Sequence, residues 1–318
     1  MIKLENVTKK YGKFEALKGI SFEVNDGEIV GLLGPNGAGK STTMNIITGF
    51  IEQTSGNVLV DGIDVVKKPN QAKKKIGYMP EGVPLYNDLT VKEFVRYMAE
   101  LKGVAKKQIK DQVYKSLEDS GLLEVQNKLI RNLSRGYKQR VSLAGTLVSN
   151  PKVIILDEPT VGLDPKQVTE IREVIKKLGK EHTVILSSHI LSEVSQICNK
   201  IIIINKGEIV AIDKPENLEK KVSNKNILYV TVEDKENKVI SMKEKIEGIK
   251  EITLEKENQD GTIQYAIEVE ENKDIRKNLF ADFAKENLTI FEMKKADISL
   301  EEAFMKIIEK GENNESNI

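Results

Sequence analysis

GPNGAGKST at residues 34–42 decides how the rest of the chain is read. It fits Gly-x4-Gly-Lys-Ser/Thr at Gly34, Gly39, Lys40 and Ser41, and follows the apolar run 29–33, which predicts a strand ending in a turn. The glycines let successive N–H groups face one point, and the helix expected from Thr42 onward adds its positive N-terminal end there. A phosphate fits that point. Lys40 would neutralise the β and γ oxygens, and the Ser41 hydroxyl is placed to ligand Mg²⁺. Gly34, Pro35, Asn36, Gly37, Ala38, Gly39, Lys40, Ser41 and Thr42 together form the candidate nucleotide cradle.

The whole chain bounds what surrounds this loop. With 318 residues there is length for two domains. Lys+Arg and Asp+Glu are both 49, a balance that argues against a protein built to grip a nucleic-acid backbone. The lysines at 73–75 and 106–107 lack interleaved aromatics and read as solvated faces. Cys198 is the one cysteine, which implies a reducing compartment and a buried structural thiol. No apolar run reaches the roughly 18 residues that cross a bilayer, and the N-terminus has no apolar signal core. The chain therefore reads as soluble by itself, with any work at a membrane passing through a partner.

Upstream of the loop, alternation predicts two strands around a turn at Gly12, and Tyr11 beside that turn can either stack on an adenine ring or simply pack; sequence alone favours packing. Downstream, a short strand ending at Met79 leads into a Pro/Gly loop containing Glu81, then Thr90 and Glu93 form a capping-box pair before a helix over 91–101. Further helices are expected at 107–120, near 122–125 and after Ser134. In LSRGYKQR, residues 133–140, Ser134 can cap its helix and Gly136 leaves the first turn unobstructed, a second phosphate-facing surface. The apolar run 153–156 suits a strand buried on both faces of a mainly parallel sheet, whose strand ends are where ligands bind. It delivers Asp157, able to hold Mg²⁺ opposite Ser41, and Glu158, able to polarise an attacking water. Asp164 precedes a helix over 167–178. A buried strand over 184–186 ends at Ser187, Ser188 and His189, with His189 on the same sheet edge as Asp157 and within reach of a γ-phosphate; His182 is expected at the surface and uninvolved.

Composition changes after Pro215. Residues 227–293 read β-α-β-β-α-β, the order of a split βαβ, ferredoxin-like unit without histidine or cysteine, hence a regulatory or interaction module. An amphipathic helix over 299–309 is expected to dock on its own domain or a twin subunit, and residues 311–318 read as a frayed tail.

Taken together these motifs resemble the ATP-binding subunit of an ABC transporter, in particular the drug, sodium and polysaccharide exporter branch with separately encoded membrane subunits. The resemblance covers roughly residues 1–211. It implies an α/β fold, a P-loop NTPase of the ABC type with a helical subdomain at about 85–150, followed by a small α+β domain over 216–318. It implies adenine stacking on Tyr11, a Walker A loop at 34–42, a signature at 133–140 with Ser134 and Gly136 meeting γ-phosphate, and a Walker B strand with catalytic Glu158. Gly162, Leu163 and Asp164 look like the D-loop, and His189 like the switch histidine. Glu81 stands where the family usually has glutamine, as a further candidate Mg²⁺ or water ligand; Arg135 and Tyr137 replace the commoner glycine and glutamine of the signature. The implied activity is Mg-dependent ATP hydrolysis by a head-to-tail dimer of identical or related subunits. The implied setting is the cytoplasmic face of the cell membrane, coupled to a transmembrane permease, with no nucleic acid bound. A soluble ABC ATPase of translation or repair is the alternative, disfavoured by the single cassette and by the lack of zinc cysteines and coiled-coil insertions. A non-hydrolysing scaffold is disfavoured by Glu158 and His189.

Overall fold

The computed structural model describes residues 1–82, 85–222, 226–234, 238–258, 260–270 and 273–295. The expected helix over 299–309 and the tail over 311–318 lie outside them. The described residues divide into two compact units, with the boundary between Pro215 and Glu216.

The first unit opens with β1 (Ile2–Tyr11), β2 (Phe14–Val24), β3 (Ile29–Leu33) and α1 (Lys40–Ile47). Then come β4 (Ser55–Val60), β5 (Ile63–Asp64), α2 (Pro69–Lys73) and β6 (Ile76–Met79). The helical stretch holds α3 (Val91–Leu101), α4 (Ile109–Asp119), short 3₁₀ turns, and α5 (Arg135–Leu147). It is followed by β7 (Val153–Leu156), α6 (Pro165–Leu178), β8 (Thr183–Ser188), α7 (Leu191–Ser195), β9 (Lys200–Asn205) and β10 (Glu208–Asp213). The second unit holds α8 (Pro215–Val222) at its start, β11 (Asn226–Glu233), α9 (Lys238–Ser241), β12 (Ile249–Glu257), β13 (Ile263–Val269), α10 (Arg276–Lys285) and β14 (Thr289–Lys295).

In the first unit the central sheet has the order β10-β9-β3-β8-β7-β6, with β9, β3, β8, β7 and β6 parallel and β10 antiparallel at the edge. Every residue of β3, β7 and β8 is buried, as continuous apolar runs require of strands covered on both faces. A second, antiparallel sheet, β2-β1-β4-β5, supplies Ile2, Leu4, Leu17 and Phe22 to a core shared with Val30 and Leu32 of β3 and Met44 and Ile46 of α1. The helical stretch has its own core around Phe94, Val95, Leu117, Ile130 and Val141. Thr90 and Glu93 close the capping box at the head of α3.

Because the central strands run parallel and in register, their C-terminal ends fall along one edge: Leu33 pairs with Ser188, Leu156 with Leu186, and Met79 with Leu156. The loops carrying residues 34–39, Asp157, Glu158, His189 and Glu81 therefore leave the sheet side by side.

His182 departs from its sequence expectation. It is buried, and its Nδ1 lies 2.7 Å from the Pro151 carbonyl oxygen, so it pins the entry of β8 to that of β7. Cys198 is buried as expected, and burial pushes its thiol pKa up.

The second unit forms an antiparallel sheet in the order β12-β13-β11-β14. With β11, the first strand of the unit, lying between the third, β13, and the fourth, β14, this is the split βαβ, ferredoxin-like topology. Leu228, Val230, Val232, Tyr265, Leu279 and Phe283 build its core. The first helix of that unit's split βαβ order, α9, ends at Ser241 and tightens into a 3₁₀ turn over Met242–Glu244. The Ser241 hydroxyl donates back to the Lys238 carbonyl at 2.6 Å. Buried Asp234 holds the start of α9 through the N–H groups of Lys238 and Val239, and also accepts from the Tyr265 hydroxyl.

Candidate active site

The phosphate loop leaves β3 at Gly34, where a Cβ would stand 2.3 Å from the Ile204 carbonyl oxygen; only glycine lets the loop pass β9 so closely. Gly39, at φ 110°, is the left-handed N-cap of α1. The Thr43 N–H goes to the Gly39 carbonyl, while the N–H groups of Lys40, Ser41 and Thr42 belong to the first turn, which offers them no intrahelical acceptor. Lys40 is only 6% exposed. Its ammonium donates to the carbonyls of Gly34 at 2.7 Å and Pro35 at 3.3 Å, and lies 3.4 Å from Glu158 Oε1. A buried cation needs such partners.

Glu158 follows β7 with φ 47°, a left-handed conformation that costs a non-glycine residue and persists only where its surroundings hold it. Its N–H donates to Ser187 Oγ at 2.8 Å, and the same hydroxyl donates to Asp157 Oδ1 at 2.5 Å. One serine of β8 thus ties the Asp157 carboxylate to the backbone of Glu158, just beyond the end of β7. His189 Nδ1 lies 3.0 Å from Glu158 Oε2, so the Glu158 carboxylate bridges Lys40 on one oxygen and His189 on the other. On β6, burial and then the negative charge of Asp157 push the Tyr78 hydroxyl pKa up to about 12.

A cleft of about 330 Å³ opens here, lined by Tyr11, Phe14, Ala16, Pro35, Asn36, Gly37, Gly39, Lys40, Ser41, Thr42, Glu81, Glu158, Val161 and His189. Gly34, Ala38 and Asp157 are buried behind that lining. Phe14, Ala16, Val161 and Ser187 have no place in the sequence motifs. Phe14 was findable, since it is the cross-strand partner of Tyr11 over the Gly12 turn; its ring is 65% exposed at the mouth of the cleft. Ser187 was visible only as the end of its strand, because a serine there carries no motif that predicts its contact with Asp157.

Ser134, Gly136 and Asp164 do not line this cleft. Ser134 is the exposed N-cap of α5 and accepts the Tyr137 N–H at 3.4 Å; Asp164 caps α6 through the Gln167 N–H at 2.9 Å. The start of α5 is braced on the segment after Glu158. Gln139 donates to the Pro159 carbonyl at 3.0 Å, Arg140 pairs with Glu170, and the Arg135 guanidinium lies where a Cβ on Gly162 would be.

A phosphate loop fed by a buried parallel strand, with a carboxylate pair and a histidine on neighbouring strand ends, defines an α/β P-loop nucleoside triphosphatase. The comparisons narrow this class: the ABC transporter family model matches residues 17–161. The linearmycin resistance ATP-binding protein LnrL of Bacillus subtilis (strain 168) is 40% identical over 233 residues, 73% of this chain and 75% of that protein. The bacitracin transport ATP-binding protein BcrA of Bacillus licheniformis is 33% identical over 313 residues, 98% of each. Among solved structures, a dimeric ATP-binding cassette in a post-hydrolysis state, bound to ADP and Pi, matches with TM-score 0.60 and 31% identity over 68% of this chain and 99% of that one. The chain belongs to the ATP-binding subunits of ABC transporters, and its activity is the binding of ATP and its hydrolysis to ADP and phosphate. Among the described residues no helix is long and apolar enough to cross a membrane.

Proposed function

We propose that this chain closes head to tail with a second copy, or with a related subunit, around two Mg·ATP, and that hydrolysis drives export through separate membrane-spanning subunits at the cytoplasmic face. The division of the motifs carries this reading: one cleft gathers the phosphate loop, Tyr11, Glu158 and His189, whereas Ser134 and Gly136 stand outside it at the start of α5. A second chain would bring Ser134, Gly136 and the Asp164 loop to the open side of the nucleotide. The dimeric cassette among the structural relatives supports that arrangement. Relatives named for linearmycin resistance and bacitracin transport support an antibiotic as cargo. The unit after Pro215 is assigned a regulatory or dimerising role, and no nucleic acid is involved.

The chemistry follows from the partners of Glu158. The β and γ phosphates of ATP take Lys40 from Glu158, and Tyr11 stacks on the adenine. Glu158, released on one oxygen and steadied by His189 on the other, accepts a proton from the attacking water. The water oxygen bonds to the γ-phosphorus as its bond to the bridging oxygen breaks, and ADP carries that oxygen away. Ser41 and buried Asp157, with Glu81 at the side of the cleft, would hold Mg²⁺: a few hard oxygen donors completed by substrate phosphates and water suit that ion, and Ser187 already orients the Asp157 carboxylate. When bound, it offsets the negative charge of the phosphate oxygens.

Glu158→Gln is the test. It should keep ATP affinity, lose turnover and accumulate an ATP-bound dimer on size exclusion; a monomer with normal turnover rules the proposal out. Affinity purification from detergent-solubilised membranes should bring down a multi-span protein, whereas ribosomes or DNA in its place would point to the translation or repair class.

A further inference from the structure

We propose that Thr160 and Glu193 form a second tie between the loops of Glu158 and His189, which makes Glu193 a positioning residue for hydrolysis acting through Thr160. The inference rests on the roles assigned above to Glu158 and His189. Those two side chains touch directly at 3.0 Å, and the Glu158 N–H is held by Ser187, but both contacts lie at the start of the two loops and leave the residues beyond them to be held by something else. Behind them, Thr160 Oγ1 donates to Glu193 Oε2 at 2.5 Å, the short distance of a hydrogen bond to a charged acceptor. Thr160 follows Glu158 by two residues, and Glu193 lies in α7, four residues past His189.

Glu193 is itself held. Its Oε1 lies 3.8 Å from an Arg172 guanidinium nitrogen of α6, and another Arg172 nitrogen donates to Gln196 at 2.7 Å. The side chains of Arg172 and Glu193 are each 16% exposed, so their attraction is less screened than at the surface. Arg172 Nε is buried without a partner among the described residues, and the cavity of about 10 Å³ lined by Thr160, Arg172, Ser188 and Glu193 has room for one water to take it. The left-handed backbone at Glu158 needs constraints on its C-terminal side as well as the Ser187 bond before it. The Thr160–Glu193 bond supplies one and ties it to the helix that follows His189.

Glu193→Ala strands Arg172 and can fail to fold, so Thr160→Val, which removes one hydroxyl at nearly constant volume, is the decisive variant, with Thr160→Ser as its rescue. In the purified full chain, Thr160→Val should lower kcat about tenfold with KM for ATP within about twofold, since small misplacements of catalytic groups act on the rate and not on ground-state binding. Thr160→Ser should restore kcat. Amide hydrogen exchange over residues 189–195 should quicken in Thr160→Val and recover in Thr160→Ser. Wild-type kcat in Thr160→Val, a loss that serine does not restore, or unchanged exchange would each overturn the tie. A wild-type chain without ATPase activity would instead overturn the proposed function, and the exchange measurement would still decide whether the tie exists.

Discussion

Ser187 belongs to no motif, yet its hydroxyl serves both acidic residues of the site, donating to the Asp157 carboxylate and accepting from the Glu158 backbone N–H. Ser187→Ala leaves that buried N–H without an acceptor, a loss of about 1–3 kcal/mol. The expected outcome is a lower urea midpoint and a kcat that falls further than KM rises, read by equilibrium denaturation and steady-state ATPase assays. The neighbouring residues were legible for a different reason. Asp157 and Glu158 end an apolar run whose burial requires a strand, and Lys40 and Ser41 sit in a loop whose glycines have one evident use. Ser187 meets them only because β7 and β8 pair in parallel, across about 30 residues of chain that no local pattern spans.

At the scale of elements, α3 has the bounds its capping box predicts, because its start signal is local and its apolar face is strongly periodic. What its C-terminal neighbour does was not legible. Lys102 follows the helix, and its ammonium donates to the Thr146 carbonyl of α5 at 2.9 Å; burial lowers its pKa to about 8 from the ordinary 10.5. The sign is set by proton uptake: from pH 8 to 10.5 the unfolded chain binds the proton and the folded chain does not, so stability rises with pH in that window. Below pH 8 the burial cost is fully present. Lys102→Met should therefore stabilise the protein by about 1–2 kcal/mol at pH 7 after the lost hydrogen bond is offset. Its advantage should shrink as pH climbs from 8 toward 10.5, as denaturation series at several pH values would show.

For the whole molecule, the two units carry separate cores and only the first contains the nucleotide cleft. Calorimetry should resolve two transitions. Mg·ATP at about 100 times its Kd should stabilise the unit Met1–Pro215 by about 2.7 kcal/mol, raising its midpoint by roughly 5 °C while leaving the other in place. A single transition that moves as one would mean the units unfold cooperatively.

Local chemistry determined the phosphate loop, the apolar strands and most helix boundaries, because strand burial, caps and glycine conformations depend on residues a few positions apart. It also determined the β-α-β-β-α-β order of the second unit. The tertiary structure alone decided what meets across the chain: His182 buried on the Pro151 carbonyl where a surface position was expected, Ser187 between the Asp157 carboxylate and the Glu158 N–H, and Thr160 on Glu193. Those contacts come from the parallel register that lines up strand ends and from the packing of helices against them, and long-range register leaves no trace in the spacing of neighbouring residues.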